Sequence, residues 1–297
     1  MTRIYVGLVA YNALLIGVGY ALLYAFGMAR LRRSEWRLLA LAYLLGWAFL
    51  GSVLTLFLIA GVNPGIATVV VVAALSVEVS VLVGRRMRKT ELVAHRPRGS
   101  PLALLTAIAG AAVLAAAVAF AMIVALKGTW PSEWDAWWFW LPKAKVIYYF
   151  HGLDTGVGGW GAQQDPEYPP LAAVMAATAS HFAGGFHPSI LNVQAVLLGV
   201  AFLGAIPALL DRFAPRWLVF PSVALLAVTP GFWWRMQSLL VDQTLAYLAA
   251  AAAVACVIWL REQRAAWLGM AIVFLVATTL TKLEGITLAL LLIALVA

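Results

Sequence analysis

Apolar runs of about 20 residues recur from one end of the chain to the other. A helix needs about 20 apolar residues to cross a bilayer core of about 30 Å. The runs are continuous and lack the alternation of apolar and polar residues that barrel strands show, so helices must satisfy the backbone hydrogen bonds. The composition agrees, because 64% of the residues are hydrophobic and only 11% are charged. The chain is therefore predicted to be an all-α polytopic membrane protein.

The apolar runs predict about nine transmembrane helices. The first run is too long for a cleaved signal peptide, so we count it as a span. The last run ends without a basic flank, so we expect a sequence truncated at its C-terminus. The predicted spans are residues 4–28, 38–61, 65–84, 101–126, 189–210, 217–236, 243–260, 265–281 and 285–297.

Basic residues set the predicted orientation in a cell inner or plasma membrane. The loops 29–37 and 85–100 are rich in arginine, and basic loops of membrane proteins stay in the cytoplasm. The large loop 128–188 then lies on the extracytoplasmic side, and its apolar part 170–185 is expected to lie on that surface because it is too short to cross. Thirteen of the fifteen arginines become cytoplasmic, which leaves Arg3 and Arg235 outside. This orientation accounts for the net charge of +8, so no nucleic-acid partner is expected.

The large loop opens with an unusual mixture of charge and aromatic rings, "WPSEWDAWWFWLPKAKVIYYF". The rings, Trp138 among them, suit an aromatic belt at a membrane surface or a platform for a lipid chain or sugar ring. Asp135 lies among the indoles and is expected to lose part of its hydration, which would help it to accept a proton from a hydroxyl. The alternative is that Asp135 only caps a surface helix.

Three polar patches, namely the large loop, "RMQSLLVDQ" and "TLTKLEG", are predicted to meet at the extracytoplasmic surface. The segment "DPEYPPL" places an acid and a tyrosine before two prolines, which stiffen the chain. Acids near hydrocarbon are functional by default, and a lysine can hold a phosphate as a point charge. The residues singled out are Glu167 and Tyr168 in the first patch, Arg235, Gln237 and Asp242 in "RMQSLLVDQ", and Lys282 and Glu284 in "TLTKLEG".

No cofactor is expected. The four histidines lack zinc-like spacing, and no Gly-rich phosphate loop is present. Asp135 and Asp242 together could hold a divalent cation, but we predict no metal site.

Four motifs follow one another in an order that resembles GT-C glycosyltransferases of the protein O-mannosyltransferase and aminoarabinose-transferase type. They are "EWDAWWFWLPKAKVIYYFHG", "EYPPL", "SLLVDQTLAYLAAA" and "LTKLEG", and the resemblance covers about residues 125–297. It divides the chain into an N-terminal three-helix transmembrane extension, 1–100, and a GT-C-like catalytic module, 101–297. We expect the family's C-terminal domain to be missing from this sequence, which leaves acceptor recognition open.

The resemblance implies roles for individual residues. Asp135 matches the catalytic acid of the first loop, and Asp242 matches a second acid at a later span. Lys282 matches a lysine that contacts the lipid phosphate, although Glu284 stands where many relatives have a shorter "TKG". Glu167 and Tyr168 match the acid and the variable residue before the two prolines. We therefore predict Asp135, Asp242 and Glu167 as catalytic residues, and as substrate-binding residues Lys282, Tyr168, Arg235, Glu284, Lys143, Trp138 and Gln237.

The predicted function is an inverting transfer of a sugar to an acceptor hydroxyl at the extracytoplasmic face. The donor would be a polyprenyl-phosphate-linked sugar, and membrane lipid would surround the site. A lipid or solute transporter or flippase is the alternative, but transporters tend to keep ionisable groups near the membrane midplane. A non-catalytic scaffold would explain the aromatic belt but not Asp242 and Lys282 together.

Overall fold

The computed structural model describes residues 2–28, 38–86, 100–127, 133–153, 156–210, 213–239 and 241–296. These ranges contain helices and no strands. The helices are α1 Thr2–Ala25, α2 Leu39–Ile59, α3 Ile66–Arg86, α4 Pro101–Leu126, α5 Leu141–Phe150, α6 Leu171–Ala183, α7 Pro188–Leu210, α8 Arg216–Val228, α9 Pro230–Met236, α10 Val241–Glu262, α11 Ala265–Thr279 and α12 Leu283–Val296. A π-helical turn, Ala136–Trp140, leads into α5, and a 3₁₀ turn covers Trp160–Ala162.

Six helices in the described part of the chain are long and apolar enough to cross a membrane, namely α1, α2, α3, α4, α7 and α10. The protein is thus an all-α polytopic membrane protein. The nine predicted spans are not confirmed. The run 217–236 is broken into α8 and α9, which are bent by 69° where Pro230 cannot donate the hydrogen bond that would continue α8. Counting this pair as one span gives up to seven, and α6, α11 and α12 are shorter apolar helices.

Several of the described arginines lie at one end of the bundle, called here the basic end. The last turns of α1 and α3 pack closely there, since a Cβ on Gly84 would lie 2.4 Å from the Tyr24 ring. Arg85 and Arg86 follow at once, and Arg261 places its guanidinium 4.8 Å from the Phe213 ring centroid. Most of the other predicted cytoplasmic arginines, in 29–37 and 87–99, lie outside the described residues.

The opposite end, called here the loop end, carries the described parts of the large loop. The start of α1, the last turn of α4 and the start of α7 meet there around Ile4, Leu126 and His187. Arg3 lies beside Gly184, just after α6, so this predicted extracytoplasmic arginine is at the loop end. Which side of the membrane each end faces stays a prediction.

The two N-terminal helices pack on each other through glycine. A Cβ on Gly46 would lie 1.9 Å from the Leu15 carbonyl oxygen, and one on Gly19 would lie 1.7 Å from the Ala42 carbonyl oxygen. Small residues let membrane helices approach this closely. Leu15 and Leu44 belong to the same buried core as Trp267 and Phe274, so α1 and α2 are an integral part of the bundle.

The segment predicted to lie on the membrane surface forms α6, and it is buried instead. Its 13 residues are too few to cross a membrane, in line with the expectation. However, the Tyr11 hydroxyl of α1 hydrogen-bonds Thr178 Oγ1 at 3.0 Å, and Met175 packs against Gly51 of α2. The Leu171 amide at its start donates to the Leu280 carbonyl at 3.1 Å. Apolar side chains on most of its circumference explain why α6 is inserted into the loop end.

Candidate functional site

An ion cluster forms where α10 begins and α11 turns into α12. The Lys282 ammonium donates to Asp242 Oδ1 at 2.7 Å and lies 3.3 Å from Glu284 Oε1. Asp242 is in the first turn of α10 and Glu284 in the first turn of α12, where the helix dipole favours a carboxylate. Three predicted residues from two separate motifs therefore meet in one cluster.

The ion cluster is partly open to solvent. The Lys282 side chain is 18% exposed, whereas those of Asp242 and Glu284 are about half exposed. Burial lowers the pKa of Lys282, but hydrogen bonds and charge from Asp242 and then Glu284 outweigh it, so the net shift is upward. The ammonium thus stays charged at neutral pH. No group of three or more His, Cys, Asp or Glu side chains that could hold a metal ion occurs in the described ranges.

Lys143 occupies an aromatic cage that includes the Tyr168 ring. Its ammonium lies 4.0 Å from the Phe139 ring centroid and between 5.2 and 5.4 Å from the rings of Trp140, Trp160 and Tyr168. It also donates to the Asp165 carbonyl at 2.7 Å. The Trp160 indole donates to the Pro166 carbonyl at 2.8 Å, which fixes the loop over the cage.

The cage gives Lys143 a structural role. The side chain is fully buried, and burial lowers its pKa to about 8 despite the opposing charges of Asp165 and Glu167. In this structure Lys143 ties α5 to the loop 156–170 through its hydrogen bond and cation–π contacts. The prediction that Lys143 contacts substrate stays a prediction.

Tyr168 joins the cage to the ion cluster. Its ring centroid lies 5.3 Å from the Lys143 ammonium and 5.8 Å from the Lys282 ammonium. It also makes edge contacts with the Phe139 and Trp140 rings. Glu167 precedes it with an exposed side chain. Tyr168 thus brings "EYPPL" next to "LTKLEG", and the backbone hydrogen bond from Leu171 to Leu280 adds a second contact between the two segments.

Asp135 lies just before the π-helical turn and is exposed. The expected loss of hydration is not found, because the wide turn buries Ala136 and Trp140 and leaves Trp134, Asp135 and Trp138 outside. Trp134 and Trp138 stack on each other with centroids 6.0 Å apart. No hydrogen bond or ion pair joins Asp135 to the ion cluster in the part of the chain that the structure describes, so its catalytic role stays a prediction.

A cavity of about 80 Å³ lies near the ion cluster. Val241 and Gln243, which flank Asp242, are on its wall, and the exposed Arg235 also lines it. The other walls are mostly apolar or aromatic, from Trp47, Trp140 and the alanines of α6. The polar side chains among them are Tyr11, Gln194, Thr244 and Tyr247. Gln237 is next to this wall in sequence, and its buried Nε2 finds no hydrogen-bond partner among the described residues.

Sequence reasoning missed several residues of this region. Trp160 closes the cage, and its only sequence signal is a large ring inside the glycine-rich "GVGGWG". Glu133 accepts a hydrogen bond from the Trp234 indole, which ties α9 to the segment before the π-helical turn. The Trp234–Glu133 pairing is not visible in the local spacing, since the two residues are 101 positions apart in the chain.

Comparison of the chain with protein-family models, curated proteins and solved structures gave no match.

Proposed function

We propose that the chain is a membrane glycosyltransferase that takes a sugar from a polyprenyl-phosphate donor at the loop end. The observation that supports this most is the ion cluster of Lys282, Asp242 and Glu284 beside a largely apolar cavity. A lipid-linked sugar phosphate has an anionic part, a polar sugar and a long apolar chain. Arg235 on the wall of this cavity, with Lys282 held by the neighbouring Asp242, suits the first and last of these together.

The proposed reaction needs one base and stabilisation of one leaving group. The acceptor hydroxyl attacks the anomeric carbon, the bond from that carbon to the phosphate oxygen breaks, and the electron pair leaves with the lipid phosphate. The hydroxyl proton goes to a carboxylate, for which Asp135 is the candidate. The leaving phosphate is already a stable anion, so it requires cations and no general acid.

The charge of the ion cluster defines how the donor would bind. One lysine between two carboxylates carries a net charge of −1, which by itself repels a phosphate. The Lys282 ammonium lies farther from Glu284 than from Asp242. The donor phosphate would therefore replace Glu284, while Asp242 keeps the ammonium oriented. Arg235, at the cavity wall, supplies a second cation.

One observation favours a lipid or solute transporter as the second candidate. The bend of 69° between α8 and α9 interrupts a span at the loop end, and broken helices line the substrate sites of many transporters. A transporter would move its substrate across liposome membranes and leave the glycosidic bond intact, whereas a transferase would release polyprenyl phosphate.

The test compares two probes that differ only in the phosphate. Fluorescent polyprenyl phosphate and the matching polyprenol are titrated into purified protein in liposomes. We expect the wild-type protein to prefer the phosphate, and Lys282→Ala to lose about 10- to 100-fold of phosphate affinity, as for a hydrogen bond to a charged group. Lys282→Arg should restore part of the lost phosphate affinity, because the planar guanidinium of arginine replaces the compact charge of the lysine ammonium.

Lys145→Ala is the matched control. Lys145 is exposed on α5, with its ammonium 5.8 Å from the Phe186 ring, away from the ion cluster. Its removal should leave the preference for phosphate unchanged. An unaltered preference in Lys282→Ala would exclude the ion cluster as the donor site.

A further inference from the structure

A second concave surface lies on the side of the bundle, between α1, α4 and α7, and is called here the lateral groove. It runs along α1 from Ile4 to Ile16 and along α7 from Ser189 to Leu197, with Leu126 of α4 on its rim. Its walls are almost wholly apolar. Because these helices are spans, the lateral groove opens toward the hydrocarbon of the bilayer.

One buried amide on the wall of the lateral groove is not satisfied by the protein. Gln194 is 9% exposed, and its Nε2 has no hydrogen-bond partner among the described residues. Its Oε1 lies 3.5 Å from the Tyr43 hydroxyl, but that hydroxyl has one hydrogen and donates it to Asn12 Oδ1 at 2.8 Å. A buried amide donor left unpaired in an apolar setting costs free energy, so an acceptor from outside the chain would stabilise it.

The depth of Gln194 identifies the kind of acceptor. Gln194 lies six residues into α7, about 9 Å along its axis from the loop end. The interfacial layer of a bilayer is roughly 5–8 Å thick on each side, and the ester carbonyls of glycerolipids lie at its inner boundary. His187 and Ser189 give the groove a polar end at the level of the headgroups. A polyprenyl chain has no polar atom at the depth of Gln194.

We propose that the lateral groove binds one diacyl glycerophospholipid, whose ester carbonyl accepts a hydrogen bond from Gln194 Nε2. One acyl chain lies against the apolar stretch of α1 and α7, and the headgroup lies near His187. Gln194 also lines the cavity beside the ion cluster, so the lipid is held by a residue shared between the two surfaces. The inference does not depend on the proposed glycosyl transfer.

Paired lipid probes test the hydrogen bond directly. Phosphatidylglycerol with a diazirine on one acyl chain is compared with its diether analogue, which has the same chains and headgroup but no carbonyl. We expect the diester to label residues 4–16 and 189–197 of the wild-type protein in nanodiscs about two- to tenfold more strongly than the diether. Gln194→Leu should abolish this preference. Equal labelling by both lipids in the wild-type protein, as water bound to Gln194 would give, overturns the proposal.

Two tryptophan variants check that the labelling comes from the lateral groove. Ala13→Trp fills the groove and should reduce diester labelling there several-fold. Leu75→Trp, on the exposed face of α3, should not change it. If diazirine-labelled polyprenyl phosphate displaces the diester at equal concentration, the groove belongs to an isoprenoid lipid and the proposal is wrong.

Discussion

At the scale of single residues, the exposed position of Asp135 decides how the proposed chemistry could work. A carboxylate in water holds a proton weakly, so it becomes an effective base only when substrate covers it. The stacked Trp134 and Trp138 lie on the same exposed side and could provide that cover with the sugar or the acceptor. The proposed base therefore acts in the substrate complex.

Asp135→Asn tests this role, because it keeps the shape and removes the proton acceptor. We expect turnover to fall about 10²- to 10⁴-fold while binding of polyprenyl phosphate is retained. Sugar transfer is measured in liposomes with polyprenyl-phosphate-linked sugars. Glu133→Gln is an unsuitable control, since Glu133 holds Trp234. Glu78 is exposed on α3, so Glu78→Gln is the control and should leave turnover unchanged. Turnover at the wild-type rate in Asp135→Asn would show that Asp135 is not the base.

Lys143 gives a prediction for stability. Its folded-state pKa of about 8 lies below the ordinary value of 10.5, so between these values the unfolded chain binds more protons than the folded protein. The contribution of Lys143 to the free energy of unfolding should therefore rise with pH from 8 to 10.5 and be smallest below pH 8. Thermal unfolding of wild type and Lys143→Met at pH 8, 9 and 10 measures this. Parallel pH profiles for the two proteins would contradict the buried, shifted lysine.

At the scale of elements, the α1–α2 contact leaves no room for a methyl group at its two glycines. The atoms that a new Cβ would meet at Gly46 belong to the backbone of α1, so no side chain can move aside. Any substituent must separate the two helices, and α2 is the most buried of the candidate spans. The spacing of α1 and α2 is therefore set by backbone contact.

Gly46→Ala should lower the stability of the protein by about 1–3 kcal/mol, as overpacking of a close contact does. Gly17→Ala is the matched control, since a Cβ at Gly17 meets nothing within 4 Å and alanine is the better helix former. Unfolding of both variants is followed in the same detergent. Equal stability of Gly46→Ala and Gly17→Ala would mean that the helices do not touch there.

At the scale of the whole molecule, the basic end and the loop end are distinct, and their assignment to membrane sides can be tested. A cysteine at Val157 of the loop end should react with an impermeant maleimide in intact cells. A cysteine at Arg264 of the basic end should react only after the cells are opened. Both are placed in a Cys256→Ala background. The reverse pattern would invert the topology and place the ion cluster in the cytoplasm.

The all-α class was predictable from the sequence because the length of the apolar runs alone indicates membrane-spanning helices. The long helices α2, α4 and α7 lie close to their predicted bounds. The meeting of Lys282 with Asp242 followed from placing both at ends of spans. The cage around Lys143 could not be predicted, since it depends on how the loop 156–170 folds back on α5. The burial of α6 depends on contacts with α1 and α2, which local apolar length does not reveal.

The short helix α11 has a consequence for the membrane itself. Its 15 residues extend about 22 Å, and charged Arg264 and Lys282 lie just beyond its two ends. A typical hydrocarbon layer is about 30 Å thick, so if α11 crosses the membrane, the lipids beside it must compress or the ends of the helix must draw water and headgroups inward. Either response would bring the lipid phosphates closer to the level of Lys282. The thickness of the surrounding bilayer would then be a variable in the proposed binding of a phosphate by this lysine.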